Sequence, residues 1–350
     1  MVALPGAAPA TRTRDGRWRT AIAALVLVVV VAGLLVRTPY LSFAPGSPVA
    51  VSDSVTIEGV RSKPSAGRFL LLTVNISPAA LNLWQLLWVA VAPDVTVIPR
   101  SKWVPPDTTR ERVREQNEQA IDLSKYTASV AAYRALGRTT PAISGVEILG
   151  VDPAAGASGV LFQSDVITHV ERRRVRTTKA LASAMRGRTP GRAVELTIRR
   201  EGLEKRVRVR THAGEDGRTL LGVRIRSGEA YRLPREVTID SGDVIGPSGG
   251  LVFALAIADA LVDEDLTRGR TVGVTGTLSL NRKGIGIVGA VGGIREKLVA
   301  AVRDGATVFL VPKTRDGSLE REARAAAPTG LDVIAVHTVR EAIQALRALD

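Results

Sequence analysis

Gly246-Pro247-Ser248-Gly249-Gly250-Leu251-Val252-Phe253-Ala254-Leu255-Ala256-Ile257-Ala258-Asp259-Ala260-Leu261 decides how this chain is read. Pro247 fixes its own φ and biases Gly246 away from helix, while the glycines flanking Ser248 permit a close approach of backbone. The apolar run from Leu251 to Leu261 follows as a helix. A serine leading into a helix has neighbours whose amide N–H groups lack intrahelical acceptors, so they can face a developing oxyanion. The helix dipole favours the same negative charge. A serine N-cap after a proline turn and a phosphate-cradling loop look similar, so this stretch needs a partner before it implies catalysis.

A serine hydroxyl is a poor nucleophile until a base takes its proton. The histidines are His169, His212 and His337, and none lies near a plausible nucleophile in sequence. His169 falls in a strand-like run and reads as structural. Gly292-Gly293-Ile294-Arg295-Glu296-Lys297 offers a lysine instead. Counting from Ile294, the helical positions Leu298, Ala301 and Val302 define a buried face, with Gly305 as the stop. Lys297 falls on the margin of that face, whereas Arg295, Glu296 and Arg303 are expected to point elsewhere. The preceding Ile287 to Gly293 is apolar and small, and desolvation there lowers a lysine pKa. The plainer alternative is a lysine snorkelling over apolar surface. With Ser248 present, the expected pair is Ser248 as nucleophile and Lys297 as general base.

The 350 residues suffice for two or three domains, with aromatic content of only 4%. Cysteine is absent, which excludes disulfides, thiolate metal ligands and a cysteine nucleophile. No metal and no cofactor is expected. The net charge is +14, from 48 Lys and Arg against 34 Asp and Glu. The arginines are interleaved with acids along the whole chain and no nucleic-acid motif accompanies them. Nucleic acid is therefore not an expected partner; the charge reads as attraction to an anionic membrane surface or as plain solvation of an arginine-rich protein.

Thr20 to Val36 carries no charge, and Trp18 and Tyr40 flank it. The segment is expected to cross a membrane as residues 20–38, leaving residues 1–19 as a cytoplasmic segment. A cleaved signal peptide is the competing reading, but no Ala-x-Ala site follows. Arg12, Arg14, Arg17 and Arg19 precede the segment and Arg37 alone follows it before Asp53, which places residues from about 40 onward outside the cell.

Residues 41–141 read as a juxtamembrane region. It holds two strand-like runs, Phe69 to Ile76 and Trp88 to Ala92, and a helix-favouring stretch from about Thr108 to Leu136. From 142 to 212 comes a separate unit. Val146 to Val151 and Ala193 to Arg199 read as strands, Pro153 to Ala157 as a short helix start, and Thr178 to Met185 as an amphipathic helix. This order, carried by "DPAAGAS…SDVITHV…LASAM…VELTIRR", resembles a bacterial protease-associated PDZ domain. The resemblance implies a groove that takes an extended chain by strand addition, with Ile143, Ser144, Gly145 and Val146 near its carboxylate-binding loop. The family's Gly-Leu-Gly-Phe loop is not found in this sequence.

Residues 216–350 carry "GPSGGLVFALAIADAL", "VGVTGTLSL" and "IVGAVGGIREKLVAAVRDGATVFLVP", closing on "VIAVHTVREAIQAL". In that order and spacing they resemble the proteolytic domain of Lon proteases. The resemblance implies an α/β (α+β) fold, with Ser248 as nucleophile, Lys297 as base, Thr275 holding the lysine amine, and the backbone around Gly249 at the oxyanion. Two positions depart from the family pattern: Ile245 stands where many members carry an acid, and so does Thr277. There is no Gly-x-x-x-x-Gly-Lys-Ser/Thr phosphate loop. One membrane span followed by PDZ-like and Lon-like domains resembles the bacterial membrane-anchored PDZ–Lon proteins. The expectation is thus an ATP-independent, membrane-anchored serine endopeptidase outside the cytoplasm, acting on unfolded or flexible protein segments. A hexameric homo-oligomer is implied by resemblance alone. The rival reading is a catalytically silent, membrane-anchored PDZ scaffold with a degenerate protease fold.

Overall fold

The computed structural model describes residues 15–61, 65–92, 94–102, 110–214, 217–242, 247–281 and 283–349. Arg12, Arg14, Ile245 and Gly246 lie outside the described residues. The chain divides into two compact units, Met1–Ala44 with Asn75–Asp107 and Pro45–Val74 with Thr108–Asp350.

In the first unit, helix α1 (Asp15–Leu35) contains Trp18–Leu35, long and apolar enough to cross a membrane and only 6% buried. Helix α2 (Leu83–Val91) begins with a capping box: Asn82 Oδ1 accepts from the Gln85 amide at 2.8 Å, and Gln85 Oε1 accepts from the Asn82 amide at 2.9 Å. The sequence reading makes Trp88 to Ala92 a strand, whereas the structure makes Trp88 part of the last turns of α2. A short all-apolar run fits either period, and the reciprocal cap upstream decides for helix. Strand Tyr40–Pro45 pairs antiparallel with Thr96–Pro99.

The second unit begins its helical scaffold with α3 (Arg110–Ala135), close to the expected span. The sheet that follows has the order Leu203–Arg210, Ala193–Arg200, Val166–Val170, Ala142–Val151, Val223–Tyr231, with Arg173–Arg174 paired to Val166–Val170. Helix α4 (Thr178–Met185) forms where its amphipathic spacing predicts, and Thr177 caps it by accepting from the Ala180 amide at 3.2 Å. Val146, Ile148, Ile167, Leu181, Leu196 and Ile198 lie in the core of this subunit. Pro153 to Ala157 forms turns and no helix, because the Asp152 carboxylate takes the Ala154 amide at 2.9 Å and its carbonyl takes the Ala155 amide. Strand Val223–Tyr231 carries this sheet past residue 212, where the sequence reading ends it.

A second sheet has the order Val49–Ala50, Arg68–Leu71, Thr271–Val274, Val308–Pro312, Asp332–Val336. The last four strands run parallel, and Val49–Ala50 is antiparallel to its neighbour. Phe69, Leu71, Val272, Val274 and Leu310 face a core shared with α5 (Gly250–Leu261) and α8 (Val339–Arg347). Leu70, Phe309 and Val311 face the other core, with α6 (Ile294–Arg303) and α7 (Ser318–Ala326). Strands covered on both faces read as unbroken apolar runs. The juxtamembrane assignment of residues 41–141 is thereby corrected in part: Arg68–Leu71 is a strand of this sheet, paired with Thr271–Val274 across about two hundred residues of sequence. Helix α3 belongs to the same unit. Its Tyr126 hydroxyl donates to the Tyr231 carbonyl at 2.9 Å and accepts from the Tyr231 amide at 2.7 Å, clasping the end of the last strand of the preceding sheet.

Candidate active site

Three elements meet at the carboxyl end of strand Thr271–Val274, the side of a parallel sheet where ligands usually bind. Thr275 follows the strand directly, is 1% exposed, and donates its amide to the Leu310 carbonyl at 3.2 Å. Gly276 has φ +154°, a conformation that L side chains rarely adopt. Its amide donates to the Ser248 carbonyl at 3.2 Å, and its carbonyl accepts from the Leu251 amide at 3.1 Å. A Cβ at Gly276 would also stand 2.7 Å from Val288 Cγ1. The serine-bearing turn Pro247–Gly249 is therefore stitched to the residue beside Thr275, and only glycine fits the seam.

Pro247, Ser248 and Gly249 form one turn of 3₁₀ helix leading into α5. Gly249 is buried, and a Cβ there would press on Leu71 and Phe253. From α3, the Ser124 hydroxyl reaches the Pro247 carbonyl at 3.5 Å. Ser248 itself is half-buried.

The third element is α6. Gly293 precedes it with φ +68°, so the chain turns sharply into the helix, and the Lys297 amide donates to the Gly293 carbonyl at 3.0 Å. Lys297 is only 3% exposed, and its Nζ donates to Thr275 Oγ1 at 3.1 Å. Burial pulls its pKa from 10.5 down to about 8, against the opposing pull of the neighbouring Glu296 carboxylate. At neutral pH a minor fraction, on the order of a tenth, is then the free amine. Glu296 is also 3% exposed, which corrects the expectation that it points away. Its carboxylate folds back to within reach of Gly293 at the start of α6, where the helix dipole favours negative charge. Apolar spacing alone does not register such a residue.

The structure thus joins Lys297 to Thr275 directly, and Ser248 to the same spot through the Gly276 backbone. The lysine amine's hydrogen bond goes to Thr275 and not to Ser248. Ser124 was not anticipated; it is one of the small polar residues that α3 buries, with Thr127 and Ser129, and nothing in the sequence sets it apart.

Ile143, Ser144, Gly145 and Val146 are placed differently from the expectation. They lie in Ala142–Val151, an interior strand. Ile143, Ser144 and Gly145 pair with Ala230, Glu229 and Gly228, and Val146 pairs with Ser227 on one side and Ile167 on the other. Strand addition uses an unpaired strand edge, and Ile143, Ser144 and Gly145 are paired on one side. The outer strands of this sheet are Leu203–Arg210 and Val223–Tyr231. Val223–Tyr231 lies beside α4, whose Thr178 amide donates to Ser227 Oγ at 3.3 Å.

Residues 239–348 match the family model of the Lon protease (S16) C-terminal proteolytic domain. Residues 121–211 match the model of the PDZ domain, beginning inside α3. The Lon protease of Dictyoglomus thermophilum is 43% identical over 75 residues, covering 21% of this chain and 9% of that protein. The Lon protease of Clostridioides difficile is 40% identical over 75 residues, with the same 21% and 9% coverage. The chain therefore spans only 9% of the length of each of these two relatives. Among solved structures, the PDZ domain of the SdrC-like protein of Listeria innocua aligns over 23% of this chain and 93% of that one, with 18% identity and a TM-score of 0.23.

Proposed function

We propose, for a chain that carries a PDZ domain followed by a Lon-type proteolytic domain, that it is a membrane-anchored serine endopeptidase working through Ser248 and Lys297. The observation that carries this reading is the buried Lys297 amine, held by Thr275 next to the turn that presents Ser248. A lysine without burial stays charged and cannot accept a proton. Here the Ser248 hydroxyl gives its proton to the neutral Nζ as Oγ attacks a peptide carbonyl. The oxyanion forms near the amides at the start of α5, donors typically worth about 3–4 kcal/mol each. Lys297 then returns the proton to the leaving amine, and water hydrolyses the acyl-enzyme. The Ser248–Lys297 hydrogen bond forms with substrate bound, as catalytic hydrogen bonds commonly tighten only then.

Residues 1–350 contain no phosphate loop, which supports cleavage without ATP of segments that are already extended. Such a segment is proposed to add to the edge of Val223–Tyr231, beside α4. The apolar Trp18–Leu35 window supports an uncleaved anchor, and the excess of arginine before it supports an extracytoplasmic protease domain. The proposed domain limits are the anchor, α3 with the PDZ sheet to Tyr231, then the protease, which also takes in residues 45–74.

The test uses the full chain in nanodiscs, given an unfolded, fluorescently labelled protein without ATP. Cleavage should vanish in Ser248→Ala and fall at least a thousandfold in Lys297→Met, with Ser248→Ala retaining the wild-type melting profile and Lys297→Met melting no lower than the wild type. Cleavage that survives either change rejects the dyad. Absence of both cleavage and acylation of Ser248 by serine-reactive probes favours the silent scaffold.

A further inference from the structure

Helix α2 has no charged residue and one polar one, Gln85, in the sequence Leu-Trp-Gln-Leu-Leu-Trp-Val-Ala-Val. Among its residues only Val89 is buried. Leu87, Trp88 and Val91 stand 54%, 69% and 81% exposed. A helix this apolar, showing such a surface to water, lacks the polar face that a soluble helix carries. Its position gives the reason. Trp84 Nε1 donates to the Val30 carbonyl of α1 at 2.9 Å. Val30 sits inside the apolar window, about 8 Å below its end at Leu35 by the helical rise. Gly33 is the buried residue of that stretch, and a Cβ there would collide with the Trp84 indole. At the rim, Arg37 Nη1 donates to the Ala80 carbonyl at 3.1 Å, and Thr38 Oγ1 to the Leu81 carbonyl at 2.8 Å. The contacts of Arg37 and Thr38 lie at the end of α1, and those of the Trp84 indole lie below it.

We propose that α2 lies in the lipid bilayer beside α1, as a second, half-immersed membrane element on the side where α1 exits. The occupant of its exposed face is the headgroup and upper acyl region of that leaflet. The exposed surface of α2 is continuous with the lipid-facing surface of α1, and it offers an anionic or cationic protein partner no charge to pair with. Tryptophans favour this interfacial depth, and apolar helices bury about 5–10 Å into it. The inference rests on α1 being a membrane anchor, and the experiment separates the two claims.

The absence of native cysteine makes the full chain suitable for single-site spin labelling. Nitroxides are attached in nanodiscs to Val26→Cys on α1, to Leu87→Cys and Val91→Cys on α2, and to Arg208→Cys as an aqueous reference. Collision rates with oxygen, enriched in lipid, and with a nickel chelate, confined to water, are read by paramagnetic resonance. At Leu87 and Val91 the oxygen-to-nickel ratio should exceed that at Arg208 several-fold and approach that at Val26. A lipid-like ratio at Val26 with a water-like ratio on α2 overturns the inference and leaves the anchor standing. A water-like ratio at Val26 overturns the anchor and the inference with it. Labels on α2 shielded from both reagents assign the face to a protein contact, which also overturns it. Because these α2 positions are exposed, the substitutions remove little packing; unchanged far-ultraviolet ellipticity verifies each variant.

Discussion

Lys297 holds an amine where the surroundings suit a methyl group, and that mismatch sets its chemistry. Its folded pKa of about 8 lies below the 10.5 of an ordinary lysine. A base must be neutral to accept a proton, so kcat/KM should climb with pH through about 8 and level off above it. Pre-steady-state cleavage of a fluorogenic peptide between pH 6 and 9.5 measures this, and a flat profile speaks against Lys297 as the base. The same shift bears on stability. Between about 8 and 10.5 the unfolded chain binds more protons than the folded one, so stability rises with pH across that window. Below it the full penalty applies, roughly 3 kcal/mol at about 1.4 kcal/mol per pKa unit. Lys297→Met should therefore be more stable than the wild type at pH 7 in urea unfolding, with the advantage shrinking towards pH 10.5. Lys297 was legible in the sequence from its helix and its small apolar neighbours. The burial of Glu296 beside it was not, because a carboxylate tucked against its own helix start leaves no periodic trace.

At the scale of elements, Gly276 holds the serine turn against the strand that ends at Thr275. Gly276→Ala must leave φ +154° or push on Val288, and is expected to lose about 2 kcal/mol or more of stability. It should also lower kcat/KM at least tenfold by moving Ser248. Gly305→Ala is the control: it too has positive φ, +81°, but open space around it, so it should lose stability while kcat/KM stays within twofold. Melting curves and peptide cleavage on the two variants decide the matter. Amphipathic helices such as α4 and alternating strands such as Ala193–Arg200 were readable because period and environment agree. Residues 88–92 misled because a short run of apolar residues satisfies both periods. Ile143 to Val146 fall in a strand that lies between two others in the sheet, a position that a strand's own sequence does not disclose.

The whole second unit depends on residues far apart in the chain. Arg68–Leu71 supplies a strand between Val49–Ala50 and Thr271–Val274, and α3 packs over α5. A chain starting at residue 142 keeps the whole Lon-type match and the PDZ match without its first 21 residues, yet exposes the edge of Thr271–Val274 and one face of α5. It should aggregate or unfold without cooperativity, as gel filtration and calorimetry would reveal, whereas the chain from residue 45 retains every strand of that sheet. A monodisperse, cooperatively melting 142–350 chain contradicts this. The amino-acid sequence by itself determined the apolar N-terminal helix, the order of the PDZ-like and Lon-like segments, and the serine, threonine and lysine of the candidate site. The helix, Ser248 and Lys297 rest on local spacing and composition; the order of the two segments and Thr275 rest on the motifs that resemble the PDZ and Lon families. Only the tertiary structure decided which strand borders Thr271–Val274, which strands lie outermost in the PDZ sheet, and that Glu296 is buried beside Lys297. Those depend on contacts across tens to hundreds of residues, whose partners are chosen by the packing of the whole fold and not by any local pattern.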